Sequence, residues 1–280
     1  MALVGALMAG TACGKKAIDA TPAPSSQQQP GKTPKLPKPP RTPRDKYAAF
    51  TTQQIYDIAV GQSRKKSYAT ARETLQKVLG RTDATPELIA KVHLALADAY
   101  FYDGGILNLA EAQSRYTNFL TFYPNHERAD YAQYQLGLCY LKQAASPDRD
   151  QDQTRKALNA LNKVKTSYPN SEYVGASDQK ANEAREILAE HEFRIGRFYF
   201  RRRGYVGALE RFRTVLGSYP NYSRKDQLYL LLGRSLLAVE KNDEGRLYLE
   251  KLVAEYPQSR YASQARDILK QPQTPTANGH

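Results

Sequence analysis

The chain has 280 residues, a formal net charge of +13, 41% hydrophobic residues and 25% charged ones. Its two cysteines, Cys13 and Cys139, provide no disulfide framework. About half of the positive excess lies before Tyr47, where eight basic residues face two acidic ones, and with no nucleic-acid motif beside it this charge does not mark a nucleic-acid-binding protein.

A short apolar run, Ala2 to Ala12, leads into Cys13. Eleven residues are too few to span a bilayer. The apolar run, the small residues Thr11 and Ala12, the cysteine and the polar stretch that follows resemble a bacterial lipoprotein signal. The resemblance makes 1–12 a signal-peptide-like segment and Cys13 the lipidated residue. Between residues 14 and 46 the composition shifts to eight prolines with Ser, Gln, Thr and Lys, and almost nothing apolar. Such a segment cannot bury enough surface to offset its ordering entropy, so 13–46 is expected to be a disordered, partly polyproline tether. Fully extended, at ~3 Å per residue, it would reach on the order of 100 Å.

From Tyr47 the chain reads as five pairs of amphipathic helices. The first pair carries Ile58 and Ala59, then Tyr68, Ala71, Leu75 and Val78. The second carries Leu96, Ala97 and Tyr100, then Ala112, Tyr116 and Phe119, with extra residues around Gly104 and Gly105. The third carries Leu136, Gly137 and Tyr140, then Ala157, Leu161 and Val164 after an inserted loop. The fourth is the clearest, with Ile195, Gly196 and Tyr199, then Tyr205, Ala208 and Phe212. The fifth carries Leu232, Gly233 and Leu236, then Gly245, Leu249 and Leu252. Tyr123-Pro124, Tyr168-Pro169, Tyr219-Pro220 and Tyr256-Pro257 close the second to fifth pairs. Small residues such as Gly196 and Ala208 let paired axes approach, and Gly204 is expected to supply the permissive backbone of the turn between them. A period of about 34 residues with this pattern resembles the tetratricopeptide repeat. The predicted fold is all-α, a right-handed superhelical solenoid over 47–270 with a short capping helix near Arg260 to Lys270 and a disordered tail, 271–280.

No catalytic constellation accompanies this pattern. The four histidines form no ligand-spaced pair, and no Walker A, GxSxG or dinucleotide fingerprint occurs. The chain is therefore read as a non-enzyme with no cofactor and no metal. Cys139, next to Tyr140 in a first helix, reads as a small buried hydrophobe.

First-helix residues of such solenoids line an inner groove. The grid places Tyr56 and Arg64 of the first pair there, with Lys91, Leu94, Asp98, Phe101 and Tyr102 of the second and Tyr131 and Tyr134 of the third. Tyrosines with a few cations suit an extended peptide that carries aromatic side chains and a terminal carboxylate. Tyr56, Arg64, Lys91, Tyr102 and Tyr134 are the candidate peptide-binding residues.

Two local features go further: the loop Ser146 to Gln153, followed by Arg155, and a long helix from about Val174 to Arg203. The Asp148-Arg149-Asp150 triplet, the spacing to Arg155 and Tyr168-Pro169-Asn170-Ser171, and Glu192-Phe193 leading to Tyr199, Arg203-Gly204 and Val206 resemble the BamD (YfiO) family. Asp130-Tyr131 followed by Gly137-Leu138 adds to the likeness, which covers residues 50–258. The resemblance implies a lipoprotein of the outer membrane, facing the periplasm, that serves as a scaffold of the β-barrel assembly machinery. Its N-terminal repeats would receive the aromatic C-terminal signal of unfolded barrel proteins. Its C-terminal repeats would hold a POTRA domain of a BamA-like insertase, beside other assembly-machine lipoproteins. Arg203 is then the candidate ion-pair partner of that domain, with Asp148, Arg149, Asp150 and Arg155 nearby. The alternative is another exported tetratricopeptide lipoprotein, an adaptor in cell division, pilus biogenesis or cell-wall synthesis.

Overall fold

Several helix boundaries have a local cause. Thr51 begins α1 (Thr52–Arg64) with a capping box: the Gln54 N–H donates to Thr51 Oγ1 at 3.2 Å, and the Thr51 N–H to Gln54 Oε1 at 2.9 Å. Thr85 caps α3 (Pro86–Asp103), whose first residue is a proline that loses no helical hydrogen bond there. The four Tyr-Pro pairs end the second helices of their repeats. Tyr123, Tyr168, Tyr219 and Tyr256 follow α4 (Ile106–Phe122), α6 (Asp152–Ser167), α8 (Tyr205–Ser218) and α10 (Asn242–Glu255), each with φ between −129° and −133°. The proline ring forbids the helical region to the residue before it, so the tyrosine stops the helix.

The computed structural model describes residues 46–271. The signal-peptide-like segment 1–12, Cys13, the tether up to residue 45 and the tail from residue 272 lie outside the described residues. Among the described residues there are eleven helices and no strand. Besides those above, they are α2 (Tyr68–Leu79), α5 (Ala129–Lys142), α7 (Val174–Arg201), α9 (Lys225–Ala238) and α11 (Arg260–Leu269). Every helix packs on the next, so five antiparallel pairs stack in chain order and α11 covers the last. The first helices also touch across repeats, α1 with α3, α5 with α7 and α7 with α9, which puts them on the inside of the stack. This is the all-α tetratricopeptide-type solenoid that the repeat grid predicts.

The axes cross closely where the grid puts small residues. A Cβ on Gly196 would lie 2.5 Å from the Phe212 ring, and one on Gly137 2.7 Å from Leu161. Gly233 and Gly245 face each other across the fifth pair, where a Cβ on the first would meet the carbonyl of the second at 2.9 Å. The turn at the fourth pair differs from expectation. Gly204 has an ordinary φ of −79°, and Arg203 takes the left-handed conformation instead, with φ of 62°. Lys66 and Glu240 do the same at the matching turns, with φ of 62° and 63°. The helix-ending bonds explain why: Gly204 N–H donates to Tyr199 O at 2.9 Å and Arg203 N–H to Phe200 O at 3.0 Å, the Schellman pattern, whose left-handed residue is the one at Arg203. Tyr199 lies beside Gly204 and Gly207 and is 39% exposed, so it supplies less buried apolar area than Phe212, which is fully buried.

Four hydrophobic clusters form the core. One joins the first and second pairs through Ile55, Leu75 and Leu96, and another the second and third through Tyr116, Phe119 and Leu136. A third joins the fourth and fifth through Phe193, Phe212 and Leu232, and the last seats α11 on the fifth. None of the four carries side chains from both α6 and α7. α7 buries Ser177, Ala181 and Ala184 over its first half, all small, and polar links supplement them: Arg185 to Asn162 at 2.9 Å and Lys165 to Asp178 at 3.0 Å.

Candidate functional site: two faces of the solenoid

The first face is the inner surface of α1, α3 and α5. At its centre the Asp98 carboxylate accepts from the Tyr116 hydroxyl at 2.5 Å and from Tyr131 at 3.0 Å. The Gln135 amide donates to the Tyr131 hydroxyl at 2.7 Å and to that of Tyr102 at 3.2 Å. Burial pushes the Asp98 carboxyl up to about 6, against the opposing pull of those two hydroxyls and of Arg128. Burial also raises the Tyr56 hydroxyl, which lies within the fields of Lys91, Asp98 and Arg128. Tyr134 stacks on Tyr173 with centroids 5.4 Å apart, Tyr131 meets the same ring at 5.5 Å, and the Arg128 guanidinium covers Tyr131 at 4.5 Å.

Of the candidate groove residues, Tyr56, Lys91, Tyr102 and Tyr134 join this network, with Lys91 paired to Glu87 at 3.1 Å. Arg64 stands exposed in the last turn of α1, and no contact among the described residues ties it to them. Leu94 and Phe101, expected in the groove, are 7% and 4% exposed and belong to the core between α3, α4 and α5, because α4 and α5 close over them, with Tyr116 edge-on to the Phe101 ring and the Lys142 ammonium 4.2 Å from its centre. Gln135, Tyr173 and Arg128 escaped the grid, which placed Tyr116 only as a second-helix packing residue. Gln135 alone had a local signal, four residues beyond Tyr131 on one helical face. Cys139 is buried, and burial raises its thiol to about 12, which makes it inert.

The second face lies at the C-terminal repeats. The Asp148 loop folds onto α7: the His191 Nδ1–H donates to the Pro147 carbonyl at 2.6 Å, and Arg194 pairs with Asp148 at 3.4 Å. Buried Gln151 holds the loop from within, donating to the carbonyls of Ser146 and Arg149 at 2.9 Å each and accepting from Thr154 at 2.8 Å. Asp152 and Gln153, expected in the loop, form the first turn of α6. Arg155 pairs with Asp152 at 2.9 Å and lies 3.7 Å from Asp150, so these charges are met within the chain, while Arg149 projects into solvent. Arg203 sits apart from the loop at the α7–α8 turn, and no contact among the described residues joins the two. Around it Phe198, Tyr199 and Val206 are exposed, with the Arg202 guanidinium 4.9 Å above the Phe198 ring. Exposed aromatic and arginine side chains together are the composition of a protein-docking surface.

A stack of paired helices with an aromatic inner face and exposed arginines at the α7–α8 turn defines a tetratricopeptide-type scaffold. The family model YfiO, outer membrane lipoprotein, matches residues 48–243, and the chain belongs to that family. The outer membrane protein assembly factor BamD of Caulobacter vibrioides is 31% identical over 160 residues, which are 57% of this chain and 52% of that protein. The chain thus spans about half the length of this relative. BamD of Rickettsia prowazekii is 29% identical over 212 residues, 74% of this chain and 80% of its own. BamD of Neisseria meningitidis serogroup B is 25% identical over 228 residues, 77% and 83%.

Proposed function

We propose that this protein is a non-catalytic assembly factor for outer-membrane β-barrel proteins. The observation that carries the reading is the family match across 48–243, which takes in both faces and joins the chain to relatives named as assembly factors. In this reading the inner face of α1, α3 and α5 receives the aromatic C-terminal signal of an unfolded barrel protein. Tyr56, Tyr102 and Tyr134 supply ring surface, and Lys91 and Arg64 attract the terminal carboxylate. The network around Asp98 supports this role, because rings fixed by hydrogen bonds lose little entropy on binding.

The C-terminal face docks a POTRA domain of a BamA-like insertase. Arg203 offers the ion pair, Phe198, Tyr199 and Val206 the apolar contact, and Arg149 a second cation. Asp148, Asp150 and Arg155 act indirectly by holding the loop against α7 and α6. Lipid on Cys13 anchors the chain to the outer membrane, and other assembly-machine lipoproteins join it there.

The test is affinity purification of the tagged protein from detergent-solubilised envelopes, with mass spectrometry of its partners and of its own N-terminus. The expected result is recovery of a large barrel protein with POTRA domains, lost in the Arg203→Glu variant at unchanged helicity, and a lipid mass on Cys13. Division, pilus or wall-synthesis proteins in its place would overturn the reading.

A further inference from the structure

The inner face changes character along the stack. In the second repeat, Asp98 and Tyr102 stand one and five residues beyond the crossing residue Ala97, and in the fourth repeat Arg197 and Arg201 stand at the same steps beyond Gly196. With Arg194 on α7 and Arg224 at the start of α9, they line an open cleft of about 290 Å³ whose only acidic lining residue is Glu190. Glu190 is already saturated. It accepts from Arg194 Nε at 2.8 Å, from Arg224 Nη1 at 3.0 Å and from the Tyr222 hydroxyl at 2.5 Å. Burial alone would raise its carboxyl, yet these donors hold it below the usual carboxylate range. Arg197 and Arg201 have no acidic partner among the described residues. Two of these arginines rest on the buried Phe193 ring, with the Arg224 guanidinium 5.1 Å and that of Arg197 5.8 Å from its centre.

We propose that this cleft is a second peptide subsite, and that it takes the side-chain carboxylates of an acidic, extended polypeptide segment. Glu190 already displays the recognition chemistry, a carboxylate held between two guanidiniums. The spacing fits as well. At about 1.5 Å of rise per residue, Arg201 stands about 6 Å beyond Arg197 along α7. Alternate side chains of an extended peptide lie about 6.7 Å apart on one face, so two acidic residues separated by one other meet both arginines. Arg203 and the Asp148 loop do not line the subsite, although Arg194 also pairs with Asp148 at 3.4 Å, and the proposal does not depend on the assembly role.

The probe is a fluorescein-labelled peptide of alternating Glu and Ser, titrated with the purified full chain by fluorescence polarisation at low and high salt. Saturable binding is expected, weakened by salt and reduced about tenfold or more by Arg197→Glu combined with Arg201→Glu. Lys66→Glu, the same charge reversal at the matching turn of the first repeat, should leave this affinity unchanged, and the single Arg201→Gln variant should lower it with an unaltered circular dichroism spectrum. A peptide affinity unmoved by the double variant, or capture of phosphatidylglycerol vesicles in the absence of peptide binding, would overturn the proposal.

Discussion

Asp98 is the residue whose energetics are most exposed to test. Its folded carboxyl titrates at about 6, above its ordinary value of 3.8, so the folded state binds the proton more tightly than the unfolded one. Stability from this group is therefore present below the ordinary value and is lost as pH rises through about 6. At neutral pH the charged side chain is a liability, which Asp98→Asn removes while its amide oxygen still accepts from Tyr116 and Tyr131. Thermal melts should show the variant more stable than wild type by about 1–3 kcal/mol at pH 7, with little difference at pH 4. An equal gain at both pH values would mean that the shape of the asparagine, not the missing charge, is responsible. Arg203 poses the opposite problem, since a left-handed conformation costs a non-glycine residue roughly 1–2 kcal/mol. Glu240 bears the same conformation in the fifth repeat, so Arg203→Glu changes charge without adding strain.

Among the elements, the α7–α8 pair shows what the sequence revealed and what it concealed. Gly196 was legible because axis crossing is a steric matter with one solution, and the Tyr-Pro pairs because proline acts on its immediate neighbour. Gly196→Leu should overpack the crossing against Phe212 and lower stability by about 1–3 kcal/mol or more in urea titrations. A variant as stable as wild type would mean that the repeat register is wrong. The Asp98 network was not legible, because its hydroxyls come from 18 and 33 residues away and only stacking brings them to one carboxylate. The loop before α6 was visible as an insertion, but its internal bracing by Gln151 depends on backbone carbonyls that no residue pattern announces. The turn at Gly204 was misread because glycine draws the left-handed assignment, which the helix-ending hydrogen bonds give to its neighbour.

For the stack within 46–271, stability is a sum of repeats and of the interfaces between them. Bulky side chains fuse the first three pairs, and others fuse the last two with α11, whereas α7 meets α6 with Ser177, Ala181 and Ala184. Small side chains bury less apolar area, so this interface should be the weakest. Hydrogen exchange in graded denaturant should therefore show α1 to α6 and the last five helices, α7 to α11, opening as separate cooperative units. A single transition at every amide would instead mean that the polar links at Asn162 and Asp178 couple them fully.

The left-handed turn position carries lysine, arginine and glutamate in the first, fourth and fifth repeats. Its backbone hydrogen bonds define the turn whatever side chain is present, and the side chain leaves the fold without packing into it. Selection can therefore rewrite the sign of the charge at these tips one codon at a time, with no compensating change in the core. A lineage could in this way exchange one docking partner for another, or co-vary with a partner that has changed its own charge, while the repeats beneath are inherited unaltered.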